Sequence, residues 1–174
     1  FFERAEIKDS LAYLRLIANR NDDPAFERIV NTPTRGIGEQ TLQMLRMEAR
    51  TEGISLWQAA QQLLSKQTLS GRAANALTFF VQLIDKMDDE TKTLPLAEQT
   101  EQVLYSSGLF THYQKEKGER GQARIENLEE LDAFLSWENS RSTKMINRQT
   151  NDFNQIFNEL DTNIEYLDVK NVEI

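Results

Sequence analysis

The sequence has no cysteine, a single histidine (His112), three prolines and seven glycines in 174 residues. Without cysteine there is no disulfide, no thiolate metal ligand and no thiol nucleophile, and a reducing compartment is expected. One histidine excludes a paired-histidine metal site and leaves a serine–histidine–aspartate triad only one possible base. No apolar run approaches the ~18 residues that a membrane-spanning helix needs, so no membrane partner is expected. There is no G-x-x-x-x-G-K-[ST] phosphate loop and no G-x-G-x-x-G after a strand, so no nucleotide cofactor is expected in this chain. The chain opens on Phe1 with neither an initiator methionine nor a signal-peptide pattern, and a piece of a longer protein is expected.

What is present is a folded chain with an uneven charge. Apolar residues at 39% and charged residues at 28% suit a globular domain, long enough to bury ~70% of its unfolded surface. With 20 basic and 28 acidic side chains the net charge is −8, which does not announce a nucleic-acid binder, because phosphate contacts dominate that affinity. The excess of acid lies in residues 81–174, however, and residues 1–80 are close to neutral. A local basic surface in the first part is compatible with this balance.

The few glycines and prolines fall at breaks, and between them the apolar spacing is helical. Ile7, Leu11, Leu14 and Ala18 form one stripe on a helix over about 3–18. Asp23 before Pro24 reads as an N-cap opening a short helix with Phe26, Ile29 and Val30. Thr32–Gly38 is a loop, and Glu39 begins a helix carrying Leu42, Leu45 and Ala49 that Gly53 stops. Ser55 and Ser70 cap two further helices; the second and longest bears Ala73, Leu77, Phe80, Val81, Ile84 and Met87. Pro95 starts another that closes at Gly108, Leu109–Tyr113 adds a turn or two, and Gly118–Gly121 reads as a charged loop. A helix over 124–135 then places Ile125, Leu128, Leu131 and Leu135 on one face. The expected fold is all-α, seven or eight short packed helices with no strand.

From about Ser136 the composition changes. Residues 136–174 have no glycine or proline and seven asparagines, and Ile146, Phe153, Phe157, Leu160, Ile164 and Leu167 approach a heptad seam. The expected organisation is a helical body over 1–135 and an amphipathic helical tail over 136–174.

Chemistry is sparse. Glu126, Glu129 and Glu130 lie at spacings that place them on a solvated helix face, His112 reads as structural or exposed, and Trp57 and Trp137 read as core. The segment from Thr32 to Thr41 is more informative, with Gly36-Ile37-Gly38 set between two amphipathic helices. Such a turn brings bare backbone close to a ligand, and the next helix presents unsatisfied N–H groups to an anion. Thr34 and Thr41 offer hydroxyls and Arg35 a guanidinium to the same phosphate strand. A plain interhelical turn explains the spacing equally well.

The surrounding residues resemble the UvrD/Rep/PcrA family of bacterial DNA helicases. The likeness runs through Phe1-Phe2-Glu3-Arg4-Ala5-Glu6-Ile7-Lys8-Asp9, Asn19-Arg20-Asn21-Asp22-Asp23 and Asn31-Thr32-Pro33-Thr34-Arg35-Gly36-Ile37-Gly38. It continues through Ser70-Gly71-Arg72-Ala73-Ala74 and Glu116-Lys117-Gly118-Glu119 to Arg124-Ile125-Glu126-Asn127-Leu128-Glu129-Glu130-Leu131. The resemblance implies the 2B subdomain of a 3′–5′ DNA helicase involved in repair, whose motor domains bind ATP and magnesium outside this chain. It implies a helix-hairpin-helix loop that grips duplex DNA without reading sequence, at Thr34, Arg35, Gly36, Ile37, Gly38 and Thr41. Charge and loop position add a weaker patch at Lys115, Lys117, Arg120 and Arg124. The motor domains of the parent and repair proteins are the implied partners, and the bacterial cytoplasm with its nucleoid is the implied location. Leu42 stands where such hairpins favour a small residue, and residues 132–174 depart from the family pattern. The alternative reading is a non-catalytic helical protein-interaction module working through the acidic charge and the tail.

Overall fold

The computed structural model describes residues 3–142, with side chains through Trp137, and all regular structure among them is helical. The helices are α1 (Ala5–Ala18), α2 (Asp23–Ile29), α3 (Glu39–Glu52), α4 (Leu56–Lys66), α5 (Gly71–Thr91), α6 (Leu96–Ser106), α7 (Leu109–Gln114) and α8 (Glu119–Ser142). The expected all-α class therefore holds for the described residues.

Helix α1 is the centre of the body. It packs on α2, α5, α6 and α8, and this encirclement buries Tyr13, Leu16 and Ile17 as well as the predicted Ile7, Leu11 and Leu14. Ala18, assigned to the inward stripe, is exposed, because the helix ends at the edge of the body. The apolar stripe of α5 is oriented as its spacing predicts, with Leu77, Phe80, Ile84 and Met87 buried. Phe80 meets Phe26 of α2 edge-on at 5.5 Å between ring centroids, a geometry worth ~1 kcal/mol beyond simple burial.

Caps explain the breaks, with one shift of register. Asp22, not Asp23, is the N-cap of α2, its carboxylate accepting from the Ala25 amide at 3.0 Å. Asp23 reaches across instead and accepts from the Leu56 amide at 2.9 Å, tying the start of α4 to α2. Ser55 and Gln58 form a reciprocal capping box on α4, and Ser70 caps α5.

The predicted loop over Gly118–Gly121 is mostly helix. α8 begins at Glu119, and Gly121 lies in its first turn against the turn that leaves α7. A Cβ there would sit 2.0 Å from the Glu116 carbonyl oxygen, so a close backbone approach requires glycine. α8 also continues through residue 136, the boundary read from composition, to Ser142. Trp57 is buried as expected, but Trp137 is 57% exposed, with its ring 6.3 Å from that of Phe134. The heptad-like positions Ile146 to Leu167 lie outside the described residues.

Candidate nucleic-acid interface

The segment between α2 and α3 is held from within. Asn31 Oδ1 accepts from the Arg35 amide at 2.7 Å and the Ile37 amide at 3.2 Å, folding the chain around one side chain. Ile37 is fully buried and plugs the segment into the core. Gly36 and Gly38, on either side of it, are exposed. The bend thus has an apolar anchor below and bare main chain above.

The two glycines differ. Gly36 has φ 85°, in the region that favours glycine. Gly38 has φ −91° and ψ −178°, extended backbone open to any residue, and a Cβ built on it meets nothing within 4 Å. Neither conformation nor packing within this chain therefore demands glycine at 38. Gly38 is the N-cap of α3 and supplies no side-chain acceptor. Among the described residues, the amides of Gly36, Gly38, Glu39, Gln40 and Thr41 find no acceptor. Free N–H groups and the positive end of a helix dipole face the same edge.

The side chains assigned to phosphate distribute less simply. Thr34 is exposed, whereas Thr41 is 8% exposed, so of the two threonines only Thr34 stands at the surface. Arg35 is turned inward. Its Nη1 donates to the carbonyls of Ile29 at 2.7 Å and of Val30 and Thr32 at 3.3 Å, and its Nη2 donates to the Tyr13 hydroxyl and to the Ser107 carbonyl at 3.3 Å. The expected guanidinium–phosphate contact is not available in this posture, because the fork is already engaged. Burial pushes the Tyr13 hydroxyl up to about 12, against the opposing pull of the Arg35 charge. Tyr13 therefore stays protonated and donates to the Thr32 carbonyl at 2.5 Å.

The tight hairpin expected around the glycines is also looser than read. α3 packs chiefly on α4, and Arg46 of α3 bridges to Glu27 of α2. The same Arg46 binds Glu39 at 2.9 Å, and together with Gln43 it holds the Glu39 carboxyl below its usual range. An acid in the first turn of α3 is thus answered by a cation.

In the second patch Lys115, Lys117 and Arg120 are exposed, and Arg120 lies 4.0 Å from Glu116. Arg124 does not belong with them: its side chain is 18% exposed, paired with Glu116 at 3.1 Å and stacked 5.2 Å above the Tyr113 ring. Among the described residues Lys115 and Lys117 have no ion-pair partner. The glycine loop touches the turn after α6, where Ser107 accepts from Arg35 and a Cβ on Gly108 would lie 3.6 Å from Pro33. His112 is exposed on α7.

The surface between α6, α7 and α8 has the opposite character. An open cavity of about 220 Å³ between α6, α7 and α8 is lined by Glu101, Glu129 and Asp132 around Leu104, Phe110 and Leu128. Partial burial, and then the charge of Glu101, raise the Asp132 carboxyl above its usual range. This acidic rim repels phosphate and leaves the glycine edge as the candidate nucleic-acid face. Among the described residues no group of histidine, aspartate and glutamate is arranged to hold a metal ion, and no helix is long and apolar enough to cross a membrane.

Residues 1–172 match the family of the UvrD-like helicase C-terminal domain. The chain belongs to that family. It is 61% identical over 131 residues to DNA helicase II of Escherichia coli (strain K12), covering 75% of this chain and 18% of the relative. It is 41% identical over 136 residues to the ATP-dependent DNA helicase PcrA of Bacillus subtilis, covering 78% and 18%. With the ATP-dependent DNA helicase Rep of Escherichia coli it shares 37% over 139 residues, 78% and 20%. The chain thus spans about a fifth of the length of these relatives, and the family match extends beyond Leu131, where the departure from the family pattern was read.

Proposed function

We propose that this chain is a non-catalytic, duplex-DNA-binding regulatory subdomain, corresponding to 2B, of a 3′–5′ ATP-dependent DNA helicase that acts in repair. Its ligand is the duplex backbone, gripped without sequence readout through the exposed Thr34, Gly36 and Gly38 and the first turn of α3, with Arg35 and Ile37 holding that edge from within. Lys115, Lys117 and Arg120 add charge along the neighbouring turn. ATP and magnesium belong to motor domains outside this chain, whose sequence carries no phosphate loop. Those motor domains and repair proteins are its other partners, in the bacterial cytoplasm.

One observation carries the reading. Gly38 is glycine where the fold needs none, at the exposed cap of a helix whose first amides lack acceptors among the described residues. A rigid strand lying against those amides explains the missing side chain, because any Cβ stands between backbone and phosphate.

Gly38→Asp separates folding from binding. Aspartate is at least as good an N-cap as glycine, so the thermal midpoint should hold or rise slightly. In fluorescence anisotropy with a labelled blunt duplex the variant should lose at least roughly tenfold in affinity, by blocking approach and repelling phosphate. Equal affinity of variant and parent refutes the duplex reading.

The acidic cavity between α6, α7 and α8 favours a second reading, a protein-interaction module. That reading requires association without DNA. Sedimentation velocity that finds a monomer at all concentrations, with duplex affinity intact, counts against it.

A further inference from the structure

We propose that Arg35, the one arginine of the glycine loop, is a positioning residue and not a phosphate ligand: it fixes the posture in which the Gly36–Gly38 edge meets a duplex. The proposal rests on the duplex-binding reading above and assigns a role within that site.

Both Nη groups of the guanidinium are engaged by neutral acceptors. Three are the carbonyls of Ile29, Val30 and Thr32, at the C-terminal end of α2, where helical carbonyls lack intrahelical partners and the dipole is negative. The fourth is the carbonyl of Ser107, beyond α6, and the fifth is the Tyr13 hydroxyl on α1. The guanidinium carbon also lies over two aromatic rings, 5.6 Å from the centroid of Tyr13 and 5.2 Å from that of Phe80. No carboxylate is among these partners. The charge is held by dipoles and aromatic faces, an arrangement that suits a planar fork and does not suit an ammonium group.

The partners come from four separate parts of the chain, so one side chain ties α1, the end of α2, α5 and the turn after α6 to the loop that carries it. The main chain of Arg35 takes part too, since its amide and that of Ile37 share Asn31 Oδ1. With those two amides turned inward, the amides of Gly36 and Gly38 are left facing out. To reach a phosphate the guanidinium would abandon five acceptors and loosen the segment that presents the glycines. Arg35 thus serves binding by staying inside.

The test compares the full chain with Arg35→Lys and Arg35→Gln, by anisotropy on a labelled blunt duplex across a salt series. A positioning role makes the two variants equally poor, each weaker by roughly tenfold, while the slope of log affinity against log salt stays at the parent value. A direct phosphate contact predicts that lysine restores most of the affinity and that glutamine lowers the slope by about 0.9. Either of those results, or parent-like affinity in both variants, overturns the proposal. A parent chain that binds no duplex at any salt refutes the duplex reading itself and the proposal with it. If neither arginine variant melts cooperatively, Tyr13→Phe decides, because it removes one acceptor and keeps the buried ring. It should weaken binding several-fold at unchanged slope, and parent-like binding overturns the assignment.

Discussion

Two arginine–tyrosine pairs stand on either side of Asp9, and they are built to different ends. Arg35 lies 5.6 Å from the Tyr13 ring and Arg124 lies 5.2 Å from the Tyr113 ring. Asp9, itself bound by Arg28 at 2.8 Å, accepts the hydroxyl hydrogen of Tyr113, and its charge also bears on Tyr13. The Arg35 guanidinium ends on carbonyls, whereas Arg124 ends on the Glu116 carboxylate. Each pair also adjoins a glycine of contrasting need. Gly38 has free space around it, and Gly121 would drive a Cβ into the Glu116 carbonyl. Both regions place their arginine on protein groups and leave something else at the surface. At the loop it is backbone amides, and at the turn after α7 it is lysines.

The glycine contrast breaks first if it is wrong, and it carries the largest expected effect. Gly121→Ala must shift the first turn of α8 off the end of α7, an overpacking that costs about 1–3 kcal/mol. Gly38→Ser should change stability by less than about 0.5 kcal/mol, because its backbone is extended, its surroundings are open and serine caps a helix at least as well as glycine. Urea unfolding of both variants gives the comparison directly. Similar midpoints for the two would remove the distinction between a glycine required by packing and one left open at a surface.

The tyrosines make a second test of comparable size, and its sign follows from burial. Tyr13 is pushed up to about 12 in the folded chain from an ordinary value of 10, and Tyr113 is also raised, by burial and then by its hydrogen bond to Asp9. Below pH 10 both states hold the phenolic proton, so the stabilisation is fully present. As pH rises from 10 toward 12 the unfolded chain loses that proton while the folded chain keeps it, and stability falls. Two units at Tyr13 correspond to at most about 2–3 kcal/mol. Denaturation midpoints at pH 9 and pH 11 should therefore converge in Tyr13→Phe relative to the parent. An equally steep alkaline loss in that variant would deny Tyr13 its part.

Local spacing made the helices legible, since period and caps are properties of neighbouring residues. It could not show that α1 is surrounded, which is why Tyr13, Leu16 and Ile17 join a stripe read as Ile7, Leu11 and Leu14. Gly121 misled for the same reason: a glycine beside charged residues reads as a loop until a distant carbonyl explains it. At the loop, the glycines and their exposure followed from the motif. The inward turn of Arg35 did not, because its acceptors come from α1, the end of α2 and the turn after α6. Asn31 was the missed organiser. An asparagine just ahead of a Pro- and Gly-containing turn is a signal for side-chain capping of that turn, and Asn31 does this for two amides.

The smallest effects test whether the charge near α7 is divided as the geometry requires. Lys117 is exposed and Arg124 is committed to Glu116 and Tyr113. On a duplex, Lys117→Ala should weaken binding about two- to fivefold and lower the salt slope by up to about 0.9, with stability unchanged. Arg124→Ala should leave the slope at the parent value and cost about 1 kcal/mol of stability, because it removes a half-buried stacked cation and not a phosphate contact. The two variants alter net charge equally, so bulk electrostatics cannot mimic the difference. If both lower the slope alike, Arg124 leaves Glu116 to meet the duplex, and the parallel with Arg35 fails at its second member.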